Sequence, residues 1–230
     1  PQQTALVTVP APEPLRVMRQ KLRWGPGREV RYTDPGGTGI HYQVLVPGNL
    51  ASRRTFTPFG TPITEKDEDL EPYLQLPEVS GRLAQLARSF ALEHPAHDDR
   101  ARAVERWFRT DFGYTVTSRR DVPEGVQPVE AFLFDWKEGN CEYFSTAMVL
   151  VLSASGIPAR NVTGFIGGVW NDVGDYLAVR EADAHSWVEV YLPDRGWVLF
   201  DPTPPAESVP REPSAFALLM EFMDMVKLSW

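Results

Sequence analysis

The stretch Lys137-Glu138-Gly139-Asn140-Cys141-Glu142-Tyr143-Phe144 decides how the rest of the chain can be interpreted. The apolar residues that begin in it recur at the i, i+3, i+4, i+7 and i+8 spacing of a helix with one buried face: Phe144, Ala147, Met148, Val151 and Leu152. Gly156 and Pro158 mark the end of that helix. The sequence therefore predicts a buried helix whose first turn carries the sole cysteine of the chain.

Cys141 lies where a thiolate is stabilised. Unpaired amide N–H groups and the positive end of the macrodipole are found at a helix N-terminus, and both favour a negatively charged sulfur. The same amides can hydrogen-bond an oxyanion. A free cysteine is also among the residues most often buried as plain packing. The position therefore indicates a nucleophile only if the chain supplies a base and a group that orients it.

A strand that begins at His185 supplies the candidate base. Of the four histidines, only His185 opens a clear β-rich run, which extends to Leu192. The turn-rich tetrapeptide Pro193-Asp194-Arg195-Gly196 follows, and residues 197–200 then lead to Asp201. This pattern predicts a hairpin that returns the Asp201 carboxylate toward the imidazole, with Asp201 as the orienting group.

The register of this hairpin is the weak point of the prediction. A turn centred between Asp194 and Arg195 would place Asp201 opposite Val188, about 10 Å from His185. A bulge, a wider loop or sheet twist would have to close that gap. If Asp201 faced elsewhere, Asp183 would be the first replacement, because it lies two residues before His185.

Periodicity divides the remaining chain into a β-rich beginning, helices and a final group of strands. Residues 1 to about 60 alternate β-rich runs with Gly/Pro turns, and residues 62–77 hold clustered acids typical of a solvated linker. Ser80 and Asp98 are expected to cap two amphipathic helices. Helices followed by antiparallel strands favour an α+β fold with helices packed on one sheet. The strands are expected at 162–165, 176–179, 186–192 and 197–200.

Composition and charge exclude several kinds of partner. The 31 acidic and 23 basic side chains leave a net charge of −8, which disfavours binding to nucleic-acid phosphates. A single cysteine forbids an internal disulfide and a four-cysteine zinc site. The acids clustered at 65–71 lack the spacing of an EF-hand loop. We therefore expect no metal and no cofactor.

The two ends of the chain are typical of an excised or processed fragment. The chain begins at Pro1 without a signal sequence, and no apolar run approaches the ~20 residues that a membrane-spanning helix needs. An apolar run from Ala215 to Val226 is too short to span. We expect it to dock, to meet a partner helix, or to approach a missing anchor.

Four blocks in order resemble the core of the transglutaminase-like superfamily: 139–144 (Gly-Asn-Cys-Glu-Tyr-Phe), 156–162 (Gly-Ile-Pro-Ala-Arg-Asn-Val), 185–190 (His-Ser-Trp-Val-Glu-Val) and 196–203 (Gly-Trp-Val-Leu-Phe-Asp-Pro-Thr). The resemblance implies a papain-like α+β fold, in which the nucleophile helix packs on an antiparallel β-sheet. It also implies three parts. These are an N-terminal β module with its acidic linker (1–73), the catalytic core (74–206) and a C-terminal extension toward a membrane anchor (207–230).

The resemblance further implies a mechanism. Cys141 would attack the γ-carboxamide of a glutamine and release ammonia, and a lysine amine or water would then take the acyl group from the thioester. His185 would move the protons and Asp201 would orient it. The backbone N–H of Cys141 is the expected oxyanion donor. The resemblance makes Tyr114 the first candidate for a second, aromatic donor, ahead of Trp107 and Trp136.

The variant Cys-Glu-Tyr-Phe (141–144) is similar to bacterial membrane-anchored proteins whose catalytic domain is extracytoplasmic. It implies a periplasmic or cell-surface location, membrane attachment through segments outside this fragment, and a protein or peptide substrate with a glutamine and an amine acceptor. Two alternatives stay open: a cysteine peptidase or amidase acting on cell-wall peptides, and a non-catalytic binding module of the same fold. An arylamine acetyltransferase would need a coenzyme A site, for which the sequence has no feature.

Metal removal tests the expectation of a purely thiol-based site. Activity should be unchanged after treatment with a chelator, because no ligand cluster with zinc or calcium spacing accompanies the cysteine, histidine and aspartate. The measurement is the rate of glutamine modification before and after dialysis against the chelator. Activity lost on chelation and restored by calcium would contradict the expectation.

Overall fold

The computed structural model describes residues 70–116, 121–122, 124–166, 169–171 and 176–205, together with five short strands nearer the N-terminus. The chain divides into two compact units, Pro1–Thr57 and Pro58–Trp230. The predicted extension 207–230 and residues 62–69 of the predicted linker 62–77 lie outside the described residues. The boundaries expected at 73/74 and 206/207 therefore stay predictions.

The first unit contains antiparallel β-structure. Its five strands are β1 (Gln3–Ala5), β2 (Leu15–Val17), β3 (Arg23–Trp24), β4 (Val30–Thr33) and β5 (Tyr42–Val44). Three of them form a sheet in the order β1-β4-β3, and β2 pairs with β5. The β-rich pattern of the N-terminal sequence thus corresponds to antiparallel strand pairs.

A short 3₁₀ helix, Glu71–Leu74, opens the described part of the second unit, and two long helices follow it. Helix α1 (Gly81–Glu93) follows Ser80, whose Oγ accepts the N–H of Leu83 at 3.3 Å, as predicted. Helix α2 (His97–Asp111) follows Ala96, so the prediction that Asp98 caps it is wrong. Asp98 instead lies within the first turn, where the macrodipole stabilises its charge and Arg102 pairs with it at 3.2 Å.

The segment between α2 and the cysteine is irregular. Strand β6 (Gly113–Tyr114) pairs in parallel with β7 (Glu138–Gly139). Between them, the short helix α3 (Pro128–Ala131) continues into a π-helix over Phe132–Trp136. Lys137 then adopts a left-handed conformation with φ of 53°, which turns the chain into β7.

Helix α4 (Cys141–Ala154) is the predicted buried helix, and it packs against the main sheet. That sheet has the antiparallel order β12-β11-β8, formed by β8 (Ala159–Phe165), β11 (Ala184–Leu192) and β12 (Gly196–Phe200). A separate pair joins β9 (Val169–Asn171) and β10 (Tyr176–Ala178). Helices on one antiparallel sheet form the α+β architecture expected from the sequence.

The core lies between α4, helices α1 and α2, and the β12-β11-β8 sheet. The apolar stripe of α4 is fully buried, which is what its helical spacing predicts. Across from it lie side chains of α1, α2, the π-helix and β11, and they include Leu83, Val104, Phe108, Phe132, Val188 and Val190. Burial of this apolar surface is the main stabilising contribution to the unit.

Arg100 is a charged residue within this buried region. Its side chain is 6% exposed and donates to three backbone carbonyls, those of His94 (2.9 Å), Pro95 (3.0 Å) and Ser155 (2.6 Å). Burial lowers the pKa of Arg100. The guanidinium thereby joins the connection between α1 and α2 to the end of α4, where these carbonyls would otherwise lack donors.

Replacement of Arg100 should therefore destabilise the fold. In Arg100→Met the three carbonyls lose their donors, and we expect the free energy of unfolding to fall by about 3 kcal/mol. Urea denaturation followed by circular dichroism measures the loss. Arg88→Met is the matched control, because Arg88 is an exposed residue of α1. Equal stability of the two variants would contradict this role.

Candidate active site

Cys141 is the first residue of α4 and is partly accessible to solvent. Asn140 caps the helix, and its side chain accepts the N–H of Tyr143 at 3.4 Å. The thiol is half-buried at a capped helix N-terminus, where the backbone amides have no hydrogen-bond partner within the helix. The cysteine thus has the position predicted for a nucleophile, rather than that of a fully buried packing residue.

Gly139 allows the tight approach that presents this helix. A Cβ at position 139 would lie 3.1 Å from Tyr143 and 3.2 Å from Phe132. The close contact joins the π-helix, β7 and the first turn of α4 without space for a side chain. It explains why a glycine precedes the Asn-Cys pair.

Tyr114 is held beside the cysteine by the short β6–β7 pair. Tyr114 is the register partner of Gly139, and the N–H of Thr115 donates to the Gly139 carbonyl at 2.9 Å. Burial raises the pKa of Tyr114, and the charge of Cys141 raises it further. Its hydroxyl therefore keeps its proton and can act as a hydrogen-bond donor.

The other two aromatic candidates lie in packed surroundings. Trp107 contacts the rings of Phe90, Phe108 and Phe112 at centroid distances of 5.6, 4.9 and 4.9 Å. Trp136 packs edge-on against Tyr143 at 6.1 Å. Tyr114, by contrast, is 40% exposed and lines the cavity that His185 and Asp201 also line.

The β11–β12 hairpin has a register one residue away from the one expected with a turn centred between Asp194 and Arg195. Leu192 pairs with Gly196 and Val188 with Phe200, so the turn is centred on Asp194. Gly196, at φ of 71°, completes a three-residue loop in which the Arg195 N–H donates to the Leu192 carbonyl at 3.0 Å. Extending this register would place Asp201 opposite Trp187, two residues from His185, and not opposite Val188.

The side chains of His185 and Asp201 are long enough to close the remaining two-residue offset. Diagonal neighbours on one face of an antiparallel pair lie about 7–8 Å apart, within reach of long side chains. His185 Nε2 lies 2.8 Å from Asp201 Oδ2. The three-residue loop shortens the expected offset by one residue, and the His185–Asp201 contact forms across the diagonal.

Asp201 is held as an anion in this position. Burial by itself raises the pKa of Asp201, but hydrogen bonds from the His185 ring and from the Thr203 N–H outweigh it and hold the pKa below its ordinary value. The Thr203 N–H donates to Oδ1 at 3.0 Å, while Oδ2 faces the imidazole. The carboxylate thus fixes one ring nitrogen of His185 and leaves Nδ1 free to face another group.

A buried polar chain joins the helix of the cysteine to the strand of the histidine. Ser145 Oγ lies 2.7 Å from Ser186 Oγ, and Ser186 donates to Asn161 Oδ1 at 2.7 Å. Ser145 is one turn after Cys141, and Ser186 follows His185 directly. These two serines, 0% and 1% exposed, set the spacing between the two elements.

Trp187 supports the imidazole from the strand side. The two rings stack at a centroid distance of 6.3 Å with planes 21° apart. Gly164, the cross-strand partner of His185, leaves room for the indole, because a Cβ there would lie 2.6 Å from the ring of Trp187. The ring stack limits how far His185 can rotate.

Glu105 is a site residue that the sequence reasoning missed. Its Oε1 accepts the backbone N–H of Asp201 at 2.9 Å and so anchors the end of β12 to α2. Burial raises the pKa of Glu105, and the Asp201 N–H and Arg109 only partly offset this. The sequence did contain a signal that Glu105 is buried, because this residue adjoins the apolar helix face formed by Ala101, Val104 and Phe108.

A cavity of about 810 Å³ contains part of this site. Tyr114, His185, Asp201 and Glu105 line it, and so does Asp183, the alternative orienter. Asp183 Oδ2 accepts the Arg180 N–H at 2.7 Å, whereas the carboxylate bonded to His185 is that of Asp201. Within the described part of the chain, Cys141 Sγ forms no hydrogen bond with the imidazole, so the expected Cys141–His185 contact stays a prediction.

The arrangement is suited to proton transfer beside a thiol. One nitrogen of His185 is held by a carboxylate, the cysteine lies at a helix N-terminus, and Tyr114 pairs with Gly139, two residues before the cysteine. Among the described residues, no three His, Cys, Asp or Glu side chains are grouped as metal ligands would be. In the same residues, no helix is both long and apolar enough to cross a membrane.

Comparisons with known proteins agree with this geometry. The family described as the Transglutaminase-like superfamily matches residues 84–202. The chain is 43% identical over 103 residues to a protein of Pseudomonas aeruginosa named Protein-glutamine gamma-glutamyltransferase, a match that covers 45% of the chain and 15% of the relative. It is 38% identical over 137 residues to the uncharacterized protein YebA of Bacillus subtilis, covering 57% of the chain and 19% of the relative. The chain spans less than a fifth of either relative.

A solved structure has the same architecture. The periplasmic domain of TgpA from Pseudomonas aeruginosa aligns with a TM-score of 0.60 and 26% identity, covering 87% of this chain and 68% of that one. The same domain bound to ethylmercury gives a TM-score of 0.60, covering 70% of that chain. The papain-like α+β fold expected from the sequence is thereby confirmed.

The pH dependence of stability tests the burial of Glu105. Because the folded state holds this proton more tightly than the unfolded chain, wild-type protein loses stability as pH rises from the ordinary value of 4.5 through the raised pKa of Glu105. Glu105→Gln keeps an oxygen acceptor but cannot ionise, so its stability relative to wild type should increase over that interval. Urea unfolding at a series of pH values measures both proteins.

Glu105→Leu is the comparison variant, since it leaves the Asp201 N–H without an acceptor. We expect it to lose about 1–3 kcal/mol of stability relative to Glu105→Gln at neutral pH. Stability curves of wild type and Glu105→Gln that run parallel across the acidic range would show that Glu105 is not buried as an ionisable group.

Proposed function

This chain belongs to the transglutaminase-like superfamily, and from that premise we propose that it catalyses thiol-dependent acyl transfer on glutamine γ-carboxamides. The outcome would be a cross-link to an amine or, with water, deamidation. The observation that carries the proposal is the 2.8 Å contact of His185 Nε2 with Asp201, on the strand packed against the helix that Cys141 opens. The name of the Pseudomonas aeruginosa relative supports the same chemistry.

In the first half-reaction the thiolate of Cys141 attacks the carboxamide carbon of a glutamine. The carbonyl π electrons move onto the oxygen and form an oxyanion. When the carbon–nitrogen bond breaks, His185 gives its proton to the departing nitrogen, and ammonia and a thioester result. Asp201 stabilises the imidazolium before this transfer and fixes its orientation.

In the second half-reaction a primary amine or water attacks the thioester. Neutral His185 accepts the proton that the nucleophile loses, and the carbon–sulfur bond breaks to return the thiolate of Cys141. With an amine the product is an isopeptide bond, and with water it is a glutamate side chain. Exclusion of water from the thioester would therefore decide between transfer and hydrolysis.

The oxyanion would be stabilised by two donors. The backbone N–H of Cys141 lies at the helix N-terminus, where it has no partner within the helix. The hydroxyl of Tyr114 is the second, because Tyr114 keeps its proton beside the sulfur. This assignment gives Tyr114 a role in the reaction rather than in the core, in agreement with its 40% exposure.

We also propose an extracytoplasmic location, either periplasmic or at the cell surface. The support is the structural similarity to a periplasmic domain. Because the chain spans a small part of its longer relatives, membrane anchoring through segments outside residues 1–230 belongs to the same proposal. The substrate would then be a protein or peptide with an accessible glutamine, together with an amine acceptor.

Replacement of the nucleophile tests the chemistry. Cys141→Ala should abolish modification of a glutamine-containing protein in the presence of a primary amine, because alanine preserves the helix and removes the sulfur. Mass spectrometry distinguishes an amine adduct (transfer), a glutamic acid product (deamidation) and backbone cleavage (a peptidase). Ser155→Ala, at the opposite end of α4, is the control and should remain active.

Retained turnover in Cys141→Ala would rule out the mechanism. Cleaved backbone in the wild-type reaction would replace the transferase proposal with the cysteine peptidase alternative. Absence of all three products from wild type, across several protein substrates, would favour a binding module that has kept the fold.

A further inference from the structure

Arginines from two elements converge on the cavity beside the His185–Asp201 pair. Arg102 and Arg109 line it from α2, at the i and i+7 positions of one helix face, with Glu105 between them. Arg195 lines it from the turn between β11 and β12. The cavity therefore has guanidinium groups on two sides and the proposed catalytic base on its wall.

The carboxylates of this cavity are already engaged. Asp201 faces the imidazole and Glu105 accepts the Asp201 N–H. Asp183 accepts the N–H of Arg180. Each of the three acids therefore already has a hydrogen-bond partner, although their charges remain and equal in number the three arginines of the lining.

Within the described residues, there are fewer acidic ion-pair partners than arginines at this cavity. Asp98 is shared, since its two oxygens lie 3.2 Å from Arg102 and 3.4 Å from Arg195. Arg109 is exposed and forms no ion pair within the described residues, although its charge acts on Glu105. Within those residues, Arg109 is thus a cavity-lining guanidinium that no ion pair engages.

We propose that this cavity is a subsite for an acidic peptide, so that the preferred acyl donor carries carboxylates beside its reactive glutamine. The inference rests on the proposed function and deepens it by naming the substrate class. Guanidinium groups bind carboxylates through paired N–H donors, and Arg109 is available for such a bond. Arg102 and Arg195, which share Asp98, would add long-range attraction.

The test compares two synthetic peptides that each contain one glutamine, one with flanking glutamates and one with flanking serines. A fluorescent primary amine serves as acceptor, and kcat and KM are measured at low ionic strength. Wild type should show a KM about 5- to 10-fold lower for the glutamate peptide, with similar kcat. The difference should shrink in about 0.5 M salt, where exposed charges are screened.

Arg109→Ala should remove most of that preference by raising KM for the glutamate peptide alone. Arg109→Glu should reverse it, so that the serine peptide becomes the better substrate. The matched control is Arg106→Ala, because Arg106 is an exposed arginine of the same helix and does not line the cavity. Arg106→Ala should keep the wild-type KM values for both peptides.

Equal KM values for the two peptides in wild type, or equal effects of Arg109→Ala and Arg106→Ala, would overturn the subsite. If neither peptide is turned over, the proposed function fails and the subsite is judged by binding. Fluorescence anisotropy of labelled peptides with Cys141→Ala then measures affinity without chemistry. Tighter binding of the glutamate peptide that depends on Arg109 supports the subsite, and indistinguishable binding rejects it.

Discussion

The packing of α4 against β11 is the constraint on which the rest of this structure depends. The helix carries Cys141 at its first position, and the strand carries His185 near its beginning. Apolar burial holds the two elements together, while the Ser145–Ser186 hydrogen bond at 2.7 Å specifies how they are aligned. Non-directional burial supplies the stability, and one buried polar contact supplies the alignment.

The electrostatics of the site follow from what surrounds two neighbouring carboxyl groups. Asp201 receives hydrogen bonds from His185 and the Thr203 N–H, so its pKa is held low in spite of burial. Burial has the largest effect on the pKa of Glu105, which is therefore raised. Opposite shifts in adjacent carboxyl groups separate their roles: one is a stable anion against the imidazole, and the other is a backbone anchor.

Much of the fold was predictable because its signals are local. The periodic stripe from Phe144 to Leu152 gives the buried helix, and Ser80 caps α1 as its side chain predicts. The cap of α2 was assigned wrongly to Asp98 because two adjacent acids and Ala96 offer competing starting points. A carboxylate in the first turn gains nearly as much from the macrodipole as one at the cap, so the pattern does not separate them.

The amino-acid sequence by itself identified the residues on which the proposed chemistry depends: one cysteine at a helix start, one histidine opening a strand, and an aspartate after the returning strand. Only the tertiary structure decided how His185 and Asp201 meet. The three-residue loop closed by Gly196 shifts the register by one residue from the expected one, and a diagonal side-chain contact joins His185 to Asp201. Glu105 and the arginines of α2 join the site because α2 packs beside the end of β12. Such contacts link positions nearly 100 residues apart, where no local periodicity or propensity acts.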